Sequence, residues 1–267
     1  MPTRQGTNES ATNVTTRMSW TETNSRHFTV RHEERDRPDV GGVIDLLEDA
    51  RLRLGGVFGS VPAEVTVVLH PSRAELDLAQ PFLPLVRRIT TPAARRYLAG
   101  WAGRNTLHVL VPRLLAQRAA NVEGSREMLM LTPAALYAQL VIATVNPALP
   151  PPWNVGRSIR AARWAWLIAG SAQWFSGQSP HARIAIARRL REGPRPDFPP
   201  GLRDAALLGG TVIDLVAREE GESAVIRLVS SLPRGGPREA LISVFNGRAL
   251  VHTEGTWRAH LARLAGR

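Results

Sequence analysis

The sequence predicts an α+β fold: a small N-terminal β-sheet with helices, followed by an all-helical C-terminal body. Three observations predict it. Short runs rich in β-branched residues recur up to about Val111 and fade after Arg113. Beyond that point apolar residues recur at helical spacing. No internal repeat is present, and a few strands mixed with helices before a purely helical stretch is the α+β order. The expected division is a disordered polar tail at 1–25 and one domain at 26–267, with a sheet-containing half at 26–120 and a helical half at 121–267.

Each element has its own signal. Residues 27–32 (His-Phe-Thr-Val-Arg-His) alternate polar and apolar, as a half-buried strand does. Residues 43–58 place Val43, Leu46, Leu47, Ala50, Leu54 and Val57 on a helical face. Residues 65–69 read as a buried strand, and 72–80 as a short helix with Ser72 as N-cap and Glu75 three residues on. Residues 81–100 are interrupted by Pro81, Pro84 and Pro92, and 106–111 form the third expected strand. Helices are expected over 126–131, 133–145, 158–176, 180–191, 202–220, 222–232, 237–245 and 256–264. The 158–176 segment stands out. It carries Trp164, Trp166, Trp174 and Phe175 around a small-residue centre, Ala169 to Ala172.

Composition removes several chemistries. There is no cysteine, so disulfides, thiolate zinc sites and cysteine nucleophiles are excluded. No window has the roughly 18–20 uninterrupted apolar residues of a membrane span, and the polar start lacks the apolar core of a secretory signal. A cytoplasmic location is the expectation. The net charge is +11, and all 34 basic residues are Arg. They are spread along the chain rather than clustered in the stripe typical of nucleic-acid binders. Arg157, Arg160, Arg163, Arg188 and Arg189 form the best candidate for a basic patch.

The order of elements resembles the peptidase MA-like domains of gluzincin-type zinc metallopeptidases. The likeness spans about residues 26–265. It rests on the strand Val65-Thr66-Val67-Val68-Leu69, on the Ala99-Gly100-Trp101-Ala102 step into the third strand, and on the pattern from Glu239-Ala240-Leu241 to Asn246-Gly247, Glu254 and Trp257. The family follows its third strand with a helix carrying His-Glu-x-x-His, then a helix reading Trp-Leu-x-Glu-Gly-x-Ala. Two histidines one turn apart with an adjacent glutamate hold zinc and activate water. Here the best register puts Gln139 and Ala143 at the histidine positions and Leu140 at the base position. Trp166-Leu167-Ile168-Ala169-Gly170-Ser171-Ala172 fits the next motif with Ala169 in place of the third ligand. None of these can hold a metal, so the resemblance implies no metal, no cofactor and no peptidase activity.

What the resemblance leaves is a gluzincin-like pseudo-metallopeptidase, a peptide-binding or scaffold protein. It implies a cleft between the 106–111 strand and the helices at 136–143 and 167–173. Thr106, His108, Leu110, Tyr137, Trp166 and Gln173 are the residues expected around that cleft. A peptide would add to the 106–111 strand as the sheet edge. One alternative is an Arg-rich module for an acidic partner or nucleic acid. A second is a metallopeptidase-related enzyme using unrecognised residues. Other motifs carry less. His32-Glu33-Glu34-Arg35-Asp36 has a ligand-like spacing but runs into Pro38 and reads as a solvated loop. Ser171 lacks the Gly-x-Ser-x-Gly setting of a nucleophile elbow. Gly209-Gly210-Thr211 reads as close helix packing rather than a phosphate loop.

Overall fold

The computed structural model describes residues 20–153 and 155–266. Among these residues five strands form one mixed sheet: β1 (Trp20–Asn24), β2 (Phe28–Glu33), β3 (Val65–His70), β4 (Gly100–Ala102) and β5 (Thr106–Leu110). Their order is β1-β2-β3-β5-β4. The three central strands run parallel, and the two edge strands run antiparallel to their neighbours. The parallel register Val30–Val67–Leu107 lines up fully buried residues on one face. Apolar alternation at period two produces that face.

The helices are α1 (Arg37–Phe58), α2 (Arg73–Ala79), α3 (Phe82–Ile89), α4 (Pro92–Arg95), α5 (Pro112–Arg118), α6 (Ser125–Met130), α7 (Thr132–Val145), α8 (Val155–Arg163), α9 (Ala165–Ser176), α10 (Arg183–Glu192), α11 (Ala205–Glu220), α12 (Glu222–Ser230), α13 (Pro237–Val244) and α14 (Leu250–Leu264). A sheet followed by a helical body is the expected α+β arrangement. Two hydrophobic clusters fill it. One joins the sheet to α1 and α7, and the other is built from α9, α11, α12 and α14. Most of α7 is buried, with Tyr137, Ala138 and Leu140 facing the sheet cluster and Ile142 the helical one. A helix apolar on all sides belongs in such a position.

The densest seam is α9 on α11. A Cβ placed on Gly170 would lie 2.4 Å from the carbonyl carbon and oxygen of Gly209. The two backbones therefore touch, and only glycine fits. Gln173 reinforces the seam: its Nε2 donates to Ala206 O at 2.5 Å and its Oε1 accepts from the Gly210 amide at 2.9 Å.

Several expectations need correction. Trp20–Asn24 is a strand, within the stretch expected to be a tail, whereas residues 1–19 lie outside the described residues. The alternation of β1 is weak because both of its faces are partly exposed. The 106–111 strand is not an edge: β4 pairs with β5 through Gly100 and Val109, Trp101 and His108, and Ala102 and Leu107. Helix α1 begins at Arg37, because Pro38 sits in the first turn, where a missing N–H does no harm. Pro84 is likewise tolerated near the start of α3. Residues 158–176 are two helices, divided at Trp164 (φ −105°, ψ 18°).

Candidate functional site

An apolar cleft of about 350 Å³ lies between α3, α7, α8 and α9 and the β4 edge. Helix α7 contributes Thr132, Ala135, Leu136 and Gln139, residues spaced one helical turn apart on one side. Helix α9 contributes Ala165, Ile168, Ala169 and Ala172. Helix α3 supplies Phe82, Leu85, Val86 and Ile89, and Phe82 and Leu85 are largely exposed. Trp101 and Trp153 close the sheet side, with ring centroids 4.4 Å apart. The indole of Trp153 also donates to Ala102 O at 2.9 Å, so it occupies part of the free β4 edge.

The chemistry of the lining is uniform. No charged residue and no histidine is among the described residues that form it. Three of its polar side chains are already satisfied. Thr90 Oγ1 donates to Val86 O at 2.7 Å, Thr132 Oγ1 to Leu129 O at 2.6 Å and Gln178 Nε2 to Met128 O at 2.6 Å. Gln139 is different: its amide makes no hydrogen bond among the described residues. A donor-and-acceptor amide in an apolar wall gains by meeting a second amide.

Of the four positions that the resemblance would set against a metal site, Gln139 and Ala169 line the cleft together. Leu140 and Ala143 do not line it. Leu140 packs in the sheet cluster and Ala143 is buried. None of the six residues expected around the cleft lines it. Tyr137 is buried, and its hydroxyl donates to Pro62 O at 2.8 Å. Trp166 lies in the helical core. Gln173 clasps α11, and Leu110 belongs to a separate cavity with α1 and α5. Thr106 and His108 stand on the opposite face of the sheet from buried Leu107 and Val109. The six miss the cleft because Thr106 and His108 lie on the other face of β5, and because Tyr137, Trp166 and Gln173 lie on the sides of their helices turned into the core or onto α11. The expected sheet edge is also covered, by β4. Sequence reasoning also missed α3, whose Phe82, Leu85, Val86 and Ile89 carry the helical spacing but lie among prolines. Trp153, after a proline run, gave no signal at all.

On that outer sheet face His70 Nε2 lies 3.0 Å from His108 Nδ1, with the rings stacked. Trp20 sits edge-on to His70. Burial, followed by the nearby His108, pushes the His70 pKa down to about 4, and burial lowers that of His108 as well. Both rings are therefore neutral at pH 7. The His32 to Asp36 stretch is not the solvated loop expected. His32, Glu33 and Asp36 are buried. His32 bonds to Glu33 O at 2.7 Å and to Thr23 Oγ1 at 2.9 Å, while Asp36 pairs with Arg113 at 2.8 Å. No group of three or more His, Asp or Glu able to hold a metal occurs among the described residues.

The basic patch is divided. Arg189 is buried and grips Asp204 through two bonds of 2.6 and 2.7 Å. Arg188 is paired with Glu192 one turn on. Arg160 and Arg163, on the exposed side of α8, reach the carbonyls of Ala148 and Gly235. Arg157 reaches Pro152 O at 3.3 Å. No described helix is long and apolar enough to cross a membrane. Comparison with protein-family models, with curated proteins and with solved structures finds no match to this chain.

Proposed function

We propose that this chain is a catalytically inactive relative of zinc metallopeptidases that binds peptides. It takes a large apolar side chain of a partner segment into the cleft. The observation that carries this reading is the joint placement of Gln139 and Ala169 on one uncharged, apolar wall. In the family it resembles, those positions hold metal. Here they offer an amide and a methyl group. The Gln139 amide then pairs with the main chain of the bound segment, and the α3 stripe covers its apolar side chain. Strand addition contributes little, because β4 has three residues and Trp153 takes its Ala102 carbonyl. The Arg-rich reading has less support, since Arg189 is committed to Asp204 and Arg188 to Glu192. A cytoplasmic location goes with the reading as an expectation.

The test is a peptide array probed with the full chain, beside Ala169→Phe and Gln139→Leu variants and a metal assay. Segments with one large apolar residue between polar ones should be retained. Ala169→Phe should abolish retention by filling the cleft, and Gln139→Leu should weaken it about tenfold. Stoichiometric zinc with peptide cleavage, or retention unchanged by Ala169→Phe, would sink the proposal.

A further inference from the structure

A second cavity, of about 270 Å³, lies at the C-terminal end of α9, where α9 meets α10 and α11. Its character is opposite to that of the cleft. Arg183 and Arg218 both line it, and neither makes a hydrogen bond or ion pair among the described residues. Arg183 is the first residue of α10, whose first turn holds no acidic residue. A cation at the positive end of a helix is unfavourable until an anion joins it. Asp214 lines the same cavity, and its Oδ2 lies 2.9 Å from Nε2 of the fully buried His260. Trp174, half-buried, supplies an aromatic wall.

We propose that this pocket binds a small phosphate monoester. The guanidinium groups of Arg183 and Arg218 hold the phosphate, a phosphate hydroxyl donates to Asp214, and the organic part rests on Trp174. Two guanidinium forks match phosphate oxygens in charge and geometry. A carboxylate in the same pocket repels a fully ionised anion but accepts a hydrogen bond from one that retains a proton. A phosphate monoester keeps such a proton near its second pKa of about 6. Sulfate has none at that pH, so Asp214 makes the site selective between two anions of the same size. This site is separate from the peptide cleft, and neither assignment depends on the other.

Isothermal titration of the full chain, buffered near pH 6, tests the assignment with phenyl phosphate, inorganic phosphate and sulfate. Phenyl phosphate should bind saturably with one site, inorganic phosphate more weakly, and sulfate about tenfold more weakly again. Arg183→Gln and Arg218→Gln should each reduce phenyl phosphate affinity about tenfold or more, in keeping with a lost charge-assisted hydrogen bond. Both arginines are exposed, so the fold should survive, and unchanged melting would verify this. Asp214→Asn should bring sulfate up to phosphate. The assignment is overturned by the absence of saturable phenyl phosphate binding. It is equally overturned if both arginine variants bind like the parent chain, or if sulfate already binds as well as phosphate.

Discussion

The sheet half and the helical half solve the same burial problem with different tools. In the sheet half, buried Val, Leu and Phe meet through strand register, and α1 and α7 cover them. Its polar interior contacts are single hydrogen bonds between separate elements, such as His70 with His108 and Tyr137 with Pro62. The helical half depends on close backbone approach and on one buried ion pair. Gly170 meets Gly209, and Arg189 holds Asp204, which also accepts from Thr91 at 3.2 Å. The Arg189 guanidinium extends the clasp to Pro194 O at 2.9 Å. Register-based packing tolerates local change, because each residue adds its own burial. A clasp and a backbone contact do not, because each has one geometry.

That contrast can be broken from the helical side first. Asp204→Ala leaves Arg189 buried and unpaired, and should lower stability by about 3–5 kcal/mol in chemical denaturation. Gly170→Val drives a side chain into the Gly209 backbone. It should cost about 3 kcal/mol and move α9 off α11, visible in tryptophan fluorescence. On the sheet side acid is the sharper probe. The unfolded chain protonates His70 near pH 6.5, whereas the folded one resists to about pH 4 because of burial and His108. Between those values the unfolded state binds the extra proton. Stability is therefore full above about pH 6.5 and falls as the pH drops towards 4, by at most about 1.4 kcal/mol per pH unit for this group. His70→Asn should flatten that limb of the stability–pH curve. Tyr137→Phe removes one buried hydrogen bond and should cost about 1 kcal/mol. Arg188→Ala, at the exposed pair with Glu192, should change stability by no more than about 0.5 kcal/mol in chemical denaturation.

The parts legible in the sequence were those whose signal is local. The strands over 27–32, 65–69 and 106–111 are marked by alternating or β-branched runs, and Gly209-Gly210 was readable as close packing because a glycine pair inside a helix needs a neighbour's backbone. The Ser72 cap formed as its residues suggest, with the Ser72 hydroxyl accepting from the Glu75 amide at 3.2 Å. What stayed hidden depends on partners far along the chain. The pairing of β4 outside β5, which makes β5 an inner strand, is a tertiary choice by three residues. Arg189 looked like a surface cation until Asp204, fifteen positions later, claimed it. His32 and Asp36 looked solvated because the groups that bury and bond them, Thr23 and Arg113, are contributed by separate elements. The face shared by Gln139 and Ala169 was half readable. Each is singled out by the family resemblance, but that both open onto one apolar cleft follows from the packing of α7 on α9.

The cap that Trp153 places on Ala102 has a consequence for the company the molecule keeps. A sheet edge with free amides and carbonyls is a template on which other chains polymerise. Here one edge is three residues long, with an indole on one carbonyl, and the other carries Glu22 at its centre, paired to Arg31. A sheet so finished resists edge-to-edge growth at high concentration. Trp153→Ala should make light scattering on concentration rise before any loss of secondary structure.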